Sequence, residues 1–218
     1  MLILGLTGGI AMGKSVAARL LRGLGVPVHD ADAAVHRALA RGGAAVGAVG
    51  EHFPGSVRDG AVDRAALGSH VFSDPAALAR LERILHPLAR ESARRFLAAS
   101  SRRRVRAVVL DIPLLFETGA AARLDGVIVV SAPSWLQRVR ALRRPGMTPA
   151  KLAAILARQA PDALKRRRAD AVVTSALGLA RTRRDLARAL RRLGIRRARA
   201  WRPGGGGDSA NLRRFARS

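Results

Sequence analysis

Residues 8 to 15 read Gly-Gly-Ile-Ala-Met-Gly-Lys-Ser, a full G-x-x-x-x-G-K-[ST] phosphate loop, and its neighbours leave the chain few folds to choose from. Leu2-Ile3-Leu4-Gly5-Leu6 before it is a short apolar run of the kind that forms a buried strand. Val16-Ala17-Ala18-Arg19-Leu20-Leu21 after it has helical spacing. Strand, glycine loop and helix in that order put backbone N–H groups around an anion. The glycines let the loop turn inward, and the new helix adds its unsatisfied N–H groups and the positive end of its dipole. On this pattern Gly8, Gly9, Ile10, Ala11, Met12, Gly13, Lys14, Ser15 and Val16 bind the phosphates of a nucleotide. Lys14 is expected to reach the β- and γ-phosphates, and the Ser15 hydroxyl to ligate Mg²⁺.

Further strand signals follow at Val26-Pro27-Val28-His29, Val105 to Leu110, Gly126 to Val130 and, more weakly, Ala171-Val172-Val173. The central ones are continuous apolar runs, as in strands covered on both faces. Helical patterns lie between them, at 15–24, 31–41, 75–99, 133–144, 148–159 and 179–193. Alternation of this kind predicts an α/β domain with a parallel sheet flanked by helices. Residues 1–200 make that domain, with the core sheet drawn from about 1–30 and 105–195. The interval 31–104 has no central-strand signal and reads as a helical insertion. Trp201 opens a tail, 201–218, in which Pro203 precedes four glycines; such a composition predicts disorder.

No Cys occurs in the 218 residues, so disulfides, thiol nucleophiles and thiolate metal sites are excluded. No apolar run is long enough to span a bilayer, and no signal-peptide pattern precedes the first strand. A cytoplasmic protein with no membrane association is expected. The net charge of +25 favours polyanions in general, but only Lys14, Lys151 and Lys165 among the 40 basic residues are Lys. So strong an Arg bias, with so much Ala and Gly, is equally a mark of coding composition. The scarcity of aromatics and the lack of a recognisable nucleic-acid motif argue against specific nucleic-acid binding. No obligate protein partner is indicated.

Ligands of parallel α/β sheets bind beyond the carboxyl ends of the strands. His29-Asp30-Ala31-Asp32 follows the second strand and so supplies two carboxylates near the phosphate loop. One of them, Asp32, is the candidate to accept a proton from an attacking hydroxyl, and Asp30 the candidate for a structural or supporting role; capping of the following helix is the alternative for either. Asp111 ends the third strand, where an acid can hold Mg²⁺ through water or serve as a turn residue. These groups fit phosphoryl transfer to a hydroxyl. Taken alone they leave open which small-molecule acceptor is used (nucleoside, nucleotide or sugar acid), or whether the loop serves a nucleic-acid-binding protein.

The order of motifs narrows this. Gly5-Leu6-Thr7-Gly8-Gly9-Ile10 running into Gly13-Lys14-Ser15, Asp30-Ala31-Asp32, Leu85-His86-Pro87-Leu88, Asp111-Ile112-Pro113-Leu114-Leu115-Phe116-Glu117 and Ala169-Asp170 before a short strand together resemble the dephospho-CoA kinase family. Arg140, Arg144 and Gln159 fall where that family has its lid arginines and glutamine. The resemblance runs from about residue 3 to 192. It implies a P-loop NTPase-type sheet with a helical substrate-binding insertion and a helical lid at about 135–160. It implies ATP with Mg²⁺ as phosphoryl donor and dephospho-CoA as acceptor at its ribose 3′-hydroxyl. Lys14, Asp32 and Arg140 are then catalytic, and Arg144 binds ATP. The resemblance assigns Asp32, His86, Pro113, Leu114, Leu115 and Glu117 to the acceptor, with Ser15 and, through water, Asp111 at the metal. His86 has a packing role as its alternative. The chain departs from the family pattern at Ala11 and Met12, where Gly-Ser is usual, at Thr174 and Ser175, where Asp-Asn is usual, and at Ile155, where an Arg is usual. Met12 is expected to alter the outer edge of the loop, and Arg158 to stand in for the missing Arg.

Overall fold

A computed structural model describes residues 1–71 and 74–195 of the chain. The tail at 201–218 lies outside the described residues. The described residues divide into two compact units, one made of Met1–His29 with those from Leu97 to 195, the other of Asp30–Phe96.

In chain order the first elements are β1 (Leu2–Thr7), α1 (Lys14–Gly23) and β2 (Val28–Asp30). The second unit holds α2 (Ala31–Leu39), α3 (Val46–His52), the short strands β3 (Val57–Arg58) and β4 (Ala61–Val62), α4 (Arg64–Val71) and most of α5 (Pro75–Arg102). The chain then returns through β5 (Ala107–Asp111), β6 (Gly126–Ser131), α6 (Ser134–Leu142), α7 (Pro149–Ala157), α8 (Asp162–Arg167), β7 (Ala171–Thr174) and α9 (Gly178–Arg192).

The five long strands form one sheet in the order β2-β5-β1-β6-β7. β1 pairs in parallel with β5, Leu6 opposite Asp111, and on its other edge with β6, Thr7 opposite Val129. β6 in turn pairs in parallel with β7. Every residue of β5 and β6 is buried, which is why both read as unbroken apolar runs. One core face gathers Leu4, Leu6, Val109, Ile128, Val130 and Val173 from the strands with Ala17, Leu21, Leu186 and Leu190 from α1 and α9. Small alanines at 17, 18 and 189 let these helices lie close to the sheet, so a core poor in aromatics still closes.

The second unit has its own core, built on Leu39, Val49, Phe53, Val62, Leu67 and Leu81. Its hairpin β3–β4 turns at Asp59-Gly60, both with positive φ, and pairs Val57 with Val62. Asp-Gly is the dipeptide a two-residue hairpin needs, and it separates two stretches too short to show alternation. α5 continues through Pro87, although the ring removes one backbone donor from the helix interior. Among the described residues no helix is long and apolar enough to cross a membrane.

Candidate active site

The sheet puts the C-terminal ends of β1, β5 and β6 side by side, and the loop after β1 lies across them. Gly8 is held so close to β6 that a Cβ would sit 2.5 Å from the Val130 carbonyl oxygen. Gly13 caps α1 at φ +90°, with Ser175 2.9 Å from where its Cβ would be. No side chain caps α1 and no acid stands in its first turn, so its first N–H groups are open to an anion. Ala11 also has positive φ, at 58°, an uncommon conformation for a residue with a Cβ.

Lys14 and Asp111 meet here: Nζ donates to Oδ1 at 2.6 Å, with the Asp111 side chain 3% exposed. The pairing follows from register, since Asp111 stands opposite Leu6 at the end of the strand next to β1. The Ser15 hydroxyl is on an exposed residue at the start of α1. Among the described residues no three His, Asp or Glu side chains form a cage that could hold a metal by themselves. One hydroxyl and one carboxylate suit Mg²⁺ that brings phosphate oxygens and waters with it.

The loop is tied from three sides. Met12 is 2% exposed, and its Sδ accepts a hydrogen bond from Ala132 N at 3.1 Å. The expectation that Met12 changes the outer edge is therefore corrected: its side chain is buried against the backbone just after β6. Its carbonyl accepts from Ser175 Oγ at 2.8 Å. Arg140 reaches that same residue, with Nη1 donating to Ser175 Oγ at 2.8 Å and Nη2 to its carbonyl at 2.9 Å. Ser175, a departure from the family pattern, thus joins Arg140 to the loop. Ile10 is gripped on both backbone groups, its N–H by Gln159 Oε1 at 3.0 Å and its carbonyl by Gln137 Nε2 at 2.9 Å. Sequence reasoning missed Gln137: a single Gln on a helix carries no pattern. Arg144, just past the end of α6, is exposed.

The segment after β5 begins with Thr7 Oγ1 donating to the Pro113 carbonyl at 3.0 Å. Leu114 is 40% exposed and available to a ligand, whereas Leu115 is 0% exposed. Leu115 packs with Val127 and Val129, and its Cδ1 lies 2.6 Å from where a Cβ on Gly5 would be. Its assignment to the acceptor is therefore corrected: the missing side chain at Gly5 makes the room that Leu115 fills. Leu115→Ala is expected to destabilise the fold by about 2 kcal/mol or more, read as a lower midpoint in urea unfolding. Glu117, expected to offer the acceptor a polar contact, is engaged inside the protein. Its Oε1 accepts from Ala160 N at 2.7 Å and lies 2.9 Å from Lys165 Nζ. Burial raises the pKa of this carboxyl, but the Lys165 ammonium and the Ala160 N–H outweigh it and hold the group below its ordinary range.

The second unit carries the remaining candidates. Asp30 Oδ1 accepts from Ala33 N at 2.9 Å and so caps α2. Asp32, in the first turn of α2, is exposed. His86 is exposed on α5, so it is not a core packing residue. In the first unit, Ile155 is half-buried on α7, and Arg158 directly after that helix is exposed.

The family model described as Dephospho-CoA kinase matches residues 2–180. A dephospho-CoA kinase of Paramagnetospirillum magneticum is 65% identical over 166 residues, 76% of this chain and 78% of that one. One from Rhodospirillum rubrum is 54% identical over 211 residues, covering 93% and 96% of the two chains. Among solved structures, TT1252 from Thermus thermophilus superposes with a TM-score of 0.75 at 38% identity, over 87% of this chain and 95% of that one. A dephospho-CoA kinase from Campylobacter jejuni shares the fold, with a TM-score of 0.60 at 23% identity over 88% and 96% of the chains.

Proposed function

The chain belongs to the dephospho-CoA kinase family, and on that premise we propose that it transfers the γ-phosphate of ATP to the ribose 3′-hydroxyl of dephospho-CoA, giving coenzyme A and ADP. The observation that carries the chemistry is the phosphate loop with the Lys14 ammonium 2.6 Å from the carboxylate of Asp111. An ammonium placed there neutralises the Asp111 carboxylate, and a bound triphosphate offers it further anionic oxygens. In this reading Lys14 moves onto the β- and γ-phosphates and stabilises the charge of the transferring group. The N–H groups of Gly13 to Val16 receive the neighbouring phosphate oxygens. Ser15, and Asp111 through water, would hold Mg²⁺, which supplies further neutralisation of the phosphate charge when bound. Asp32 takes the proton of the 3′-hydroxyl. Arg140, whose fork Ser175 now holds beside the loop, places a second cation at the nucleotide, and Arg144 adds a third.

His86, Pro113 and Leu114 are the residues we assign to the acceptor. The remainder of dephospho-CoA fixes the hydroxyl in line with the γ-phosphate, so fragments should react poorly. The basic surface favours an acceptor carrying its own diphosphate. The same proposal places the reaction in the cytoplasm and requires no nucleic acid, membrane or obligate protein partner. An acceptor screen with ATP and Mg²⁺ tests it. Dephospho-CoA should be consumed fastest, with mass spectrometry showing one added phosphate on the ribose. Faster turnover of a nucleoside or sugar acid at equal concentration would overturn the acceptor and leave the phosphate-loop chemistry standing.

Residues 135–160 are proposed to close over the bound substrates and exclude water, so that ATP is not hydrolysed without an acceptor. Pro145-Gly146, between α6 and α7, offers the joint, with Gly146 at φ +70°. Hydrogen exchange at 143–158 should slow when an ATP analogue and dephospho-CoA are both present. Equal exchange with and without them would count against a lid.

A further inference from the structure

Lys165 is 0% exposed, the most enclosed charged side chain of the described residues. Its ammonium lies 2.9 Å from Glu117 Oε1 and makes no well-aligned hydrogen bond among the described residues. A buried ammonium and carboxylate compensate each other, and removing either partner leaves the other stranded. Glu117 in turn does more than neutralise Lys165, because the same oxygen accepts the Ala160 N–H.

The contacts that start at this pair close on themselves. From Glu117 the 2.7 Å bond leads to Ala160, whose neighbour Gln159 accepts the Ile10 N–H at 3.0 Å. Ile10 runs back through Gly9 and Gly8 to Thr7, whose hydroxyl donates to the Pro113 carbonyl at 3.0 Å. Pro113 leads forward through Leu114 to Glu117. The ring therefore encloses the first half of the phosphate loop and residues 113–117, which include Pro113 and Leu114 of the proposed acceptor contacts. Every link lies in the first unit. We infer that Lys165 is a positioning residue for phosphoryl transfer: paired with Glu117, it locks a hydrogen-bonded ring that fixes Gly8–Ile10 relative to residues 113–117. The inference rests on the kinase reading above for what that geometry serves.

The residue type points the same way. Arg fills nearly every basic position of this chain, and only Lys14, Lys151 and Lys165 are Lys. A fully enclosed site facing one carboxylate oxygen suits a compact ammonium; a guanidinium would bring a planar fork of five donors that this site cannot all satisfy.

Two single variants and their combination test the inference, each assayed beside the wild type. Lys165→Met keeps the apolar stem without the charge, and Glu117→Gln keeps the acceptor oxygen without the charge. Each alone should lower kcat by roughly tenfold while changing KM for ATP less than about threefold, because a misplaced loop costs orientation more than binding. In the double variant neither charge remains, and the amide oxygen that Glu117→Gln leaves in place can still accept the Ala160 N–H. It should recover kcat to within about threefold of wild type, a coupling that only an interacting pair produces. Hydrogen exchange at the Ile10 amide gives a readout independent of turnover. It should quicken in Lys165→Met and slow again in the double variant. A double variant no faster than the worse single, or an Ile10 amide indifferent to Lys165→Met, would overturn the inference. Should Lys165→Met not fold, Gln159→Ala cuts the same ring without touching the buried pair. It should show the same loss of kcat, and a normal kcat would overturn the ring. Wild-type protein inert toward dephospho-CoA would instead sink the kinase reading, and the Ile10 exchange pattern would still decide the ring.

Discussion

Lys14→Ala will lower kcat by about 10²-fold or more with dephospho-CoA and ATP, while the protein stays folded. The size follows from what the lysine is asked to do. A preorganised cation in a partly closed site stabilises charge that develops only as the phosphoryl group moves, and losing one such contact costs on the order of 3 kcal/mol of barrier. Arg140 does not duplicate it, because Ser175 Oγ and the Ser175 carbonyl hold its guanidinium at a different point of the loop from the Lys14–Asp111 pair. The substitution has a second consequence that must be separated from the first. Asp111, 2% exposed, loses the ammonium 2.6 Å away. Some stability will therefore be lost with the rate, so kcat is to be measured on protein shown folded by circular dichroism at the assay temperature. Lys14→Met serves as a companion, since its apolar stem refills the space. A folded Lys14→Ala protein with near-normal kcat would remove the phosphate-loop assignment.

Much of the first unit was legible because its physics is written locally. Strands buried on both faces must be apolar throughout, so β5 and β6 announce themselves, and β1 is confirmed by the glycine loop that has to follow it. The second unit was legible only as helical, since β3 and β4 are two residues each and show no period; Asp59-Gly60 was the one signal for their turn. The site was legible as far as motifs reach. The adjacent pair Leu114 and Leu115 cannot be told apart by hydrophobicity: Gly5, on β1 and 110 positions before Leu115 in the sequence, decides which of them is enclosed. Met12 looked oversized for a loop edge because the burial of its side chain, and the Ala132 N–H that meets its sulfur, are tertiary features. Lys165 was hidden for the opposite reason. In a chain this basic a charged residue on a short helix reads as solvated, and only its being Lys rather than Arg set it apart.

Asp32→Asn is expected to lower kcat by about 10²-fold or more while changing the affinity for ATP little, and Asp30→Asn to do much less. The two carboxylates stand two residues apart, yet the structure gives them different work. Asp30 Oδ1 accepts the Ala33 N–H and ends β2 by starting α2, a task that Asn performs as well as Asp. Asp32 is exposed in the first turn of that helix. Its negative charge there is favourable toward the helix dipole by a few tenths of a kcal/mol, so Asp32→Asn should barely move the unfolding midpoint. What Asn cannot do is take a proton. An acceptor hydroxyl attacking the γ-phosphate becomes far more acidic as the bond forms, and a carboxylate is then a far stronger base than an amide oxygen. The loss should therefore fall on kcat and be largely independent of ATP concentration. Measuring kcat, the ATP dependence and the unfolding midpoint for both variants decides the assignment. Severe loss in Asp30→Asn with a mild effect in Asp32→Asn would exchange their roles, and a normal kcat in Asp32→Asn would mean that the hydroxyl gives up its proton without a protein base.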